Sequence, residues 1–316
     1  MNKTFLNNLS VDKAITDLHF VSVVVPAYNS PKRTAKCIEA ILNQSYPKNL
    51  YEIIVIDNGS NDNTVKTIQE YPVILLSEKG MKSPYAARNK GIKQAKGDII
   101  AMIDVNCIPD KHWIAKGVET IIKKTADLVG GKIIFTFSPS KTASEIFDSI
   151  TNVQIEHNIR ERKITKGGNL FVKRDVIDKI GLFPILRSGG DVIWTRRATN
   201  GGFKLVYSSN ACATYPARKL YSLLRKQLRV GRGQPNIWLE EGIILPRIFM
   251  RTIGGFYPPG LNRLKKLVQE RFLDECKPNI TSLWIVAYLC NMATSVGRLI
   301  FIFHRYILKT NITICI

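Results

Sequence analysis

Through the first half of the chain, short β-branched runs alternate with segments of helical spacing. Val21-Ser22-Val23-Val24-Val25 ends at Pro26, the pattern of a buried parallel strand. Residues 34–42 place Ala35, Ile38, Ile41 and Leu42 on one side of a helix. Residues 52–56 predict a second buried strand, ended by the turn cluster Asp57-Asn58-Gly59-Ser60. A short helix over 63–71, a third strand over 73–76 and a helix over 86–95 follow, the last stopped by Gly97. The apolar run 99–103 predicts a fourth strand and stops at Asp104-Val105-Asn106. This alternation implies an α/β fold with a doubly wound, mainly parallel sheet. Ligands of such sheets bind beyond the carboxyl ends of the strands. Tyr28, Asp57 and Asp104 each follow a strand end, so three ends converge on one crevice.

The second half is more mixed. Helices are expected over 111–124, 144–162, 174–180 and 191–199, and strands over 128–135 and 203–207. Gly167-Gly168-Asn169 reads as a loop leading into a strand. Residues 219–230 form a basic amphipathic helix, with Gly231 as its expected stop. Pro246, Pro258 and Pro259 then break up the chain. The stretch 280–297 is largely apolar but is interrupted by Asn291, and Arg298 separates it from 299–303. A membrane span needs about 20 apolar residues, so this one is marginal. The expected organisation is an N-terminal arm over 1–20, a catalytic-type α/β domain over 21–233, and a helical region over 234–316 that is a candidate for membrane association.

Composition narrows the partners. The 316 residues carry a formal net charge of +21, which points to anions such as nucleotide diphosphates, acidic phospholipids or nucleic acid. There is no zinc-finger spacing and no RNA-binding signature of aromatics interleaved with Lys and Arg, so nucleic acid is set aside as a partner. A basic amphipathic helix fits an anionic membrane surface instead. Cys37, Cys107, Cys212, Cys276, Cys290 and Cys315 are scattered without CxxC spacing, as thiols in a reducing compartment would be. Residues 1–20 are polar and lack a signal-peptide core, so a cytoplasmic location at the inner face of the membrane is expected.

Asp104 and Asn106 offer two oxygen-bearing side chains one residue apart at a strand mouth, a geometry that can hold a hard divalent cation. Such a cation could clamp a diphosphate. Arg88 suits phosphate geometry, with Lys79 and Lys82 as weaker candidates. Each of these residues also has a plainer explanation. Tyr28 could pack on the core, Asp57 could close an Asx turn, and Asp191 could cap its helix.

Pro26-Ala27-Tyr28-Asn29, the run from Asp57 to Thr64, Ala87-Arg88-Asn89-Lys90-Gly91 and Asp104-Val105-Asn106 follow one another in order. Together they resemble family 2 of the glycosyltransferases, inverting enzymes with a GT-A fold, over residues 21 to about 233. The resemblance implies a nucleotide-diphosphate sugar donor, a UDP-sugar first, bound by Pro26, Tyr28, Asn29, Asp57, Asn58, Arg88 and Asp104. It implies Mg²⁺ or Mn²⁺ at Asp104 with Asn106, an acceptor-side loop at Gly167, Gly168 and Asn169, and Asp191 as the general base. Asn106 could instead touch the sugar. The acceptor would be a glycan or a lipid-linked glycan. The chain departs from the family pattern at Asn106, at Gly190 and Ile193 around the base, and at Tyr215, where relatives often have His. Tyr215 and Arg218 remain phosphate-side or metal-side candidates. These departures keep a second reading open, a degenerate member that binds a nucleotide sugar or serves as a scaffold.

Overall fold

The computed structural model describes residues 19–272 and 278–308. The arm expected over 1–20 lies outside the described residues up to residue 18, as do Cys276 and Cys315.

Eight strands form one sheet: β1 (Val21–Ala27), β2 (Tyr51–Asp57), β3 (Ile74–Ser77), β4 (Ile99–Ile103), β5 (Ile108–Pro109), β6 (Leu128–Thr136), β7 (Asn169–Lys173) and β8 (Leu205–Pro216). Their order is β3-β2-β1-β4-β7-β6-β8-β5. The β1–β2, β2–β3, β1–β4 and β6–β8 pairs are parallel, whereas β4–β7, β6–β7 and β5–β8 are antiparallel. The sheet is therefore mixed. Its N-terminal half has the expected parallel winding, and β7 enters it reversed beside β4. That reversal puts the start of β7 next to the end of β4, with Ile103 paired to Asn169. The loop before β7 is thereby brought to the crevice.

Helices α1 (Pro31–Leu42), α2 (Thr64–Gln69), α3 (Pro84–Gln94) and α4 (Trp113–Lys123) connect the early strands. Alternate strand residues feed two apolar layers. Val23, Val25 and Ile53 pack with Ile38, Ile41 and Trp113 on one face. Val24, Ile54 and Ile56 pack with Tyr85, Ile92 and Trp194 on the other. Full burial on both faces explains the unbroken apolar runs of β1, β2 and β4. The single helix expected over 144–162 is two, α5 (Ala143–Thr151) and α6 (Ile155–Arg162). Between them Val153 takes φ +50, and the Asn152 side chain donates to Asp148 Oδ1 at 2.7 Å. Helices α7 (Arg174–Ile180) and α8 (Gly190–Asn200) match their expected positions closely. Strand β8 runs well past the expected 203–207, with a bulge opposite Gly131 to Ile133 absorbing the polar Ser209-Asn210.

The helix expected to stop at Gly231 runs on as α9 (Leu220–Glu240), through Gly231, Gly233 and Pro235. Tertiary packing overrides local propensity here. α9 lies along α12 (Ile280–Ile302), and the smaller helices α10 (Leu245–Gly254) and α11 (Leu261–Arg271) flank the pair. A Cβ on Gly231 would sit 2.0 Å from the Thr294 carbonyl oxygen, and one on Gly297 would sit 2.3 Å from that of Leu228. A Cβ on Gly233 would come within 2.5 Å of the Ser188 oxygen. The glycines form the seam along which two backbones touch. Polar contacts cross it from Arg298 to Gln234 at 2.8 Å and from Thr294 to Gln227 at 3.4 Å.

Gly231→Ala separates the two explanations of this seam. Helix propensity alone would stabilise the protein by about 1 kcal/mol. Overpacking against Thr294 should cost about 1–3 kcal/mol and win, so urea unfolding should shift to lower denaturant. A shift to higher denaturant would mean that the helices do not meet there.

Candidate active site

The site gathers where α3, the end of β4, the loop before β7 and the start of α8 meet. Arg88, on the inner face of α3, forms an ion pair with Asp104 at the end of β4. The guanidinium is 4% exposed and the carboxylate 39%, so the pair closes the floor of the crevice and leaves Asp104 facing outward. Burial alone would lower the Arg88 pKa, but the negative charges of Asp104 and Asp191 outweigh it and leave the pKa raised. Arg88 is thus a fixed cation.

Gly167 and Gly168 lie across this pair. A Cβ on Gly167 would come 3.3 Å from the Arg88 Cζ, and one on Gly168 would come 3.0 Å from Asp104 Oδ2. The Gly168 carbonyl also accepts from the Asp104 amide at 3.4 Å. Two glycines in a row let the backbone approach both charges, which a side chain at either position would hinder.

Asp191 is the next carboxylate along the crevice. Its Oδ2 accepts from the Gly167 amide at 3.0 Å, and its Oδ1 accepts from the Tyr85 hydroxyl and the Val192 amide, both at 2.9 Å. Burial pushes its pKa up, but Lys166, the Gly167 amide, Arg88 and Tyr85 together hold it below the ordinary aspartate value of 3.8. The carboxylate is therefore an anion at neutral pH. Because its folded-state pKa is depressed, Asp191 adds stability above the ordinary aspartate value and loses it as pH falls through the lower native value. Tyr85 was not among the expected site residues. It lies one helical turn before Arg88 on the same face of α3, and that three-residue spacing is the one sequence sign of its position. Burial and the nearby Asp191 charge push the Tyr85 hydroxyl up, so it stays a donor.

The departures around Asp191 have packing reasons. A Cβ on Gly190 would lie 2.9 Å from the Pro184 carbonyl and 3.0 Å from the Tyr85 ring, so the ring occupies the space a side chain there would need. Ile193 is 4% exposed and packs in the core with Phe183 and Trp194.

A second corner forms at the ends of β1 and β2. Pro26 is buried at the end of β1, and Tyr28 beyond it is 47% exposed, so its ring is open to the crevice rather than packed in the core. Asn29, at φ +43, donates from its amide to Ser60 Oγ and accepts from the Asn61 amide, both at 3.0 Å, tying the two loops together. Asp57 is 2% exposed and accepts from the Gly59 and Ser60 amides at 3.2 Å. It is the turn former that the plainer explanation describes, and it has almost no surface for a ligand. Beside it, Asn58 Oδ1 is buried and has no hydrogen-bond partner among the described residues.

Several expected contacts fall elsewhere. Asn169 is fully buried. Its Oδ1 accepts from the Trp113 indole at 2.8 Å, and its Nδ2 donates to the Ala211 and Lys132 carbonyls at 3.0 and 3.1 Å. Its side chain holds β7 to β6 and β8 and has no surface to offer a sugar. Tyr215 is 5% exposed, with Phe135 at its edge and the Arg218 guanidinium 4.8 Å over its ring. It is a packing residue. Arg218 is tied to the buried Asp148.

As a metal site the crevice is sparse. Asn106 Oδ1 accepts from Arg33 at 2.8 Å, and one oxygen of Asp104 is engaged by Arg88. Among the described residues no three His, Cys, Asp or Glu side chains gather to hold a cation. One outward carboxylate oxygen beside an amide does not make a cage. It does fit the way Mg²⁺ is commonly held, by one or two carboxylates and the substrate's phosphates.

Tyr85→Phe tests the site electrostatics. Removing a donor from the charged form should raise the Asp191 pKa, read from the pH dependence of its carboxylate ¹³C shift. An unmoved titration would show that Tyr85 does not bond Asp191 in solution.

The sequence profile described as "Glycosyl transferase family 2" matches residues 22–188. "Glycosyltransferase AglE" of Haloferax volcanii is 39% identical over 294 residues, covering 90% of this chain and 97% of the relative. The "Dolichyl N-acetyl-alpha-D-glucosaminyl phosphate 3-beta-D-2,3-diacetamido-2,3-dideoxy-beta-D-glucuronosyltransferase" of Methanococcus voltae is 26% identical over 261 residues, covering 70% and 78%. Among solved structures, mannosyltransferase PcManGT from Pyrobaculum calidifontis, in complex with GDP-Man and Mn2+, aligns at TM-score 0.60 and 18% identity, covering 93% of this chain and 94% of that one. At that identity the likeness speaks for the fold alone, which is the GT-A arrangement.

Proposed function

This chain belongs to glycosyl transferase family 2 and is a glycosyltransferase, and we propose that it moves a sugar with inversion from a nucleotide-diphosphate donor, a UDP-sugar first, to a glycan or lipid-linked acceptor. The observation that carries the reading is the Asp191–Gly167–Arg88–Asp104 cluster, which sets an anionic base and an outward carboxylate across one crevice. The Tyr28 ring would lie against the nucleotide base, with Asn29 and Asn58 shaping that corner. The acceptor hydroxyl would be deprotonated by Asp191 as it attacks the anomeric carbon opposite the leaving diphosphate. Asp191 suits this role because it is ionised and its orientation is fixed by Tyr85 and Gly167. Asp104 and, through its remaining oxygen capacity, Asn106 would hold Mg²⁺ or Mn²⁺ together with the donor's phosphates. The ion would neutralise charge on the leaving group. Arg88 would keep Asp104 oriented from below. The Gly167-Gly168 backbone would border the donor sugar. The dolichyl N-acetyl-alpha-D-glucosaminyl phosphate in the name of the Methanococcus relative supports the lipid-linked alternative.

A purified-protein screen of UDP-, GDP- and dTDP-sugars tests the activity, and failure of every donor to bind or turn over would sink it. In the active pairing, Asp191→Asn should lower transfer by about 10²–10⁴-fold while donor affinity holds. Lost donor binding in that variant would make Asp191 a structural residue. A scaffold that had lost its chemistry would show no donor hydrolysis without acceptor.

A lipid-linked acceptor would put the protein at the cytosolic face of a membrane. α10 presents Phe249 and Met250, 46% and 69% exposed, beside Arg247 and Arg251. α12 is long and apolar enough to cross a bilayer by length and composition, but one face is packed on α9. This arrangement fits a helix lying against the surface. Phe249→Glu with Met250→Glu should reduce co-sedimentation with phosphatidylglycerol vesicles several-fold. Undiminished binding would move the contact elsewhere.

A further inference from the structure

The outer face of α9 is cationic. Arg225, Lys226, Arg229 and Arg232 recur at three- and four-residue spacing, which stacks them on one side of the helix, while Leu223 and Gly231 are buried on another. Together with Arg218 and Arg187 they line a cavity of about 380 Å³, within the size range of small-ligand sites.

One carboxylate answers these six cations. Asp148, fully buried, takes Arg218 and Lys226 at 3.4 and 3.3 Å, and the Arg218 backbone amide and the Asn152 side chain occupy it further at 3.0 and 2.7 Å. Among the described residues no acid pairs with Arg187, Arg225, Arg229 or Arg232. Arg232 Nε is buried without a hydrogen-bond partner, and Arg229 donates only to the Arg187 carbonyl, at 3.3 Å. Burial and then neighbouring positive charge push the Lys226 ammonium down to about 7, and burial followed by Arg232 and Arg229 pushes Arg187 down. Like charges held this close raise the energy of the empty cavity, and an anion would lower it.

The cavity adjoins the donor crevice. Arg187 is in electrostatic reach of Tyr28, and Arg218 of Asp104. At its side the Arg225 guanidinium lies 5.7 Å over the ring of Tyr221, a tyrosine left 74% exposed. A cationic cavity bordered by an open aromatic surface matches a ligand with an anionic head and an apolar chain.

We propose that this cavity holds the phosphoryl group of a phosphorylated lipid acceptor, apart from the donor diphosphate at Asp104. Guanidinium forks bind phosphate oxygens in pairs, and the four arginines without acid partners supply them. The proposal rests on the transfer reading above, because it names where that acceptor is anchored.

Farnesyl phosphate, farnesol, inorganic phosphate, UDP and GDP are titrated into the full chain and into the Arg225→Ala/Arg229→Ala variant, with thermal melting as the folding control. Both arginines lie on the surface side of α9, and an Arg225→Lys/Arg229→Lys variant keeps the charge. The alanine pair should weaken farnesyl phosphate by at least about tenfold, the lysine pair by less, and nucleotide affinity should stay within about twofold. Unchanged farnesyl phosphate affinity in the alanine pair would overturn the site. An equal loss for UDP or GDP would overturn it by making the cavity part of the donor pocket. Farnesol binding as well as its phosphate would leave no phosphoryl recognition, and inorganic phosphate binding as well as farnesyl phosphate would leave no lipid component. If no sugar nucleotide binds the wild-type chain while farnesyl phosphate still depends on both arginines, the transfer reading falls and the phosphate site stands.

Discussion

Arg88 carries a permanent charge into a nearly dry interior, and a buried guanidinium has to be matched by nearby anions. Asp104 supplies the direct partner. Asp191, which accepts from the Tyr85 hydroxyl, supplies negative potential on the other side. The three strand ends and two helices of the site are arranged around this need. α3 has to run with one face inward, so that Tyr85 and Arg88 both point at the crevice. β7 has to enter antiparallel beside β4, so that Gly167 and Gly168 can lie over the pair. The two glycines follow from the same constraint, because the space a Cβ would take is already filled by Arg88 and Asp104.

The same balance of charge sets the chemistry. Asp191 is an anion because Lys166, Gly167, Arg88 and Tyr85 outweigh the cost of its burial. Asp104 is paired with Arg88 from below, which would temper its pull on a free cation and leave its outer oxygen for one that arrived with phosphates. Asn106, already engaged by Arg33, adds little attraction of its own. A metal held there would depend on the proposed donor's phosphates to complete its coordination. The basic cavity along α9 is the opposite case, a surplus of positive charge without enough protein anions to balance it. In the proposed reading, the work of holding phosphate would be divided between a carboxylate-borne cation and arginines.

The helical C-terminal part is joined to this site mechanically as well as electrostatically. α9 carries the cations on one face and the glycine seam on another. Gly233 packs against Ser188, just ahead of the Gly189-Gly190 turn that opens α8 and presents Asp191. The long helix α9 thus touches both α12 and the loop that leads into Asp191.

Much of the fold was legible in the chain. The apolar runs of β1, β2 and β4, the helical spacing between them, and the polar residues placed just after each strand end predict the parallel half of the sheet and the crevice, because burial on both faces leaves an unmistakable pattern. The four ordered motifs carried the family as well. Other features depended on contacts between distant segments. Gly231 reads locally as a helix stop, yet the helix continues because Gly231 and Gly233 meet Thr294 and Ser188. Asn169 and Tyr215 read as site residues, yet their polar and aromatic groups are consumed by Trp113, Lys132, Ala211 and Phe135. Tyr85 and the cavity along α9 left almost no local trace. Sequence by itself determined which residues could be buried and where strands end, since those depend on composition and period. Only the tertiary structure decided which polar groups were left over for chemistry, because that depends on which partners the fold had already assigned them.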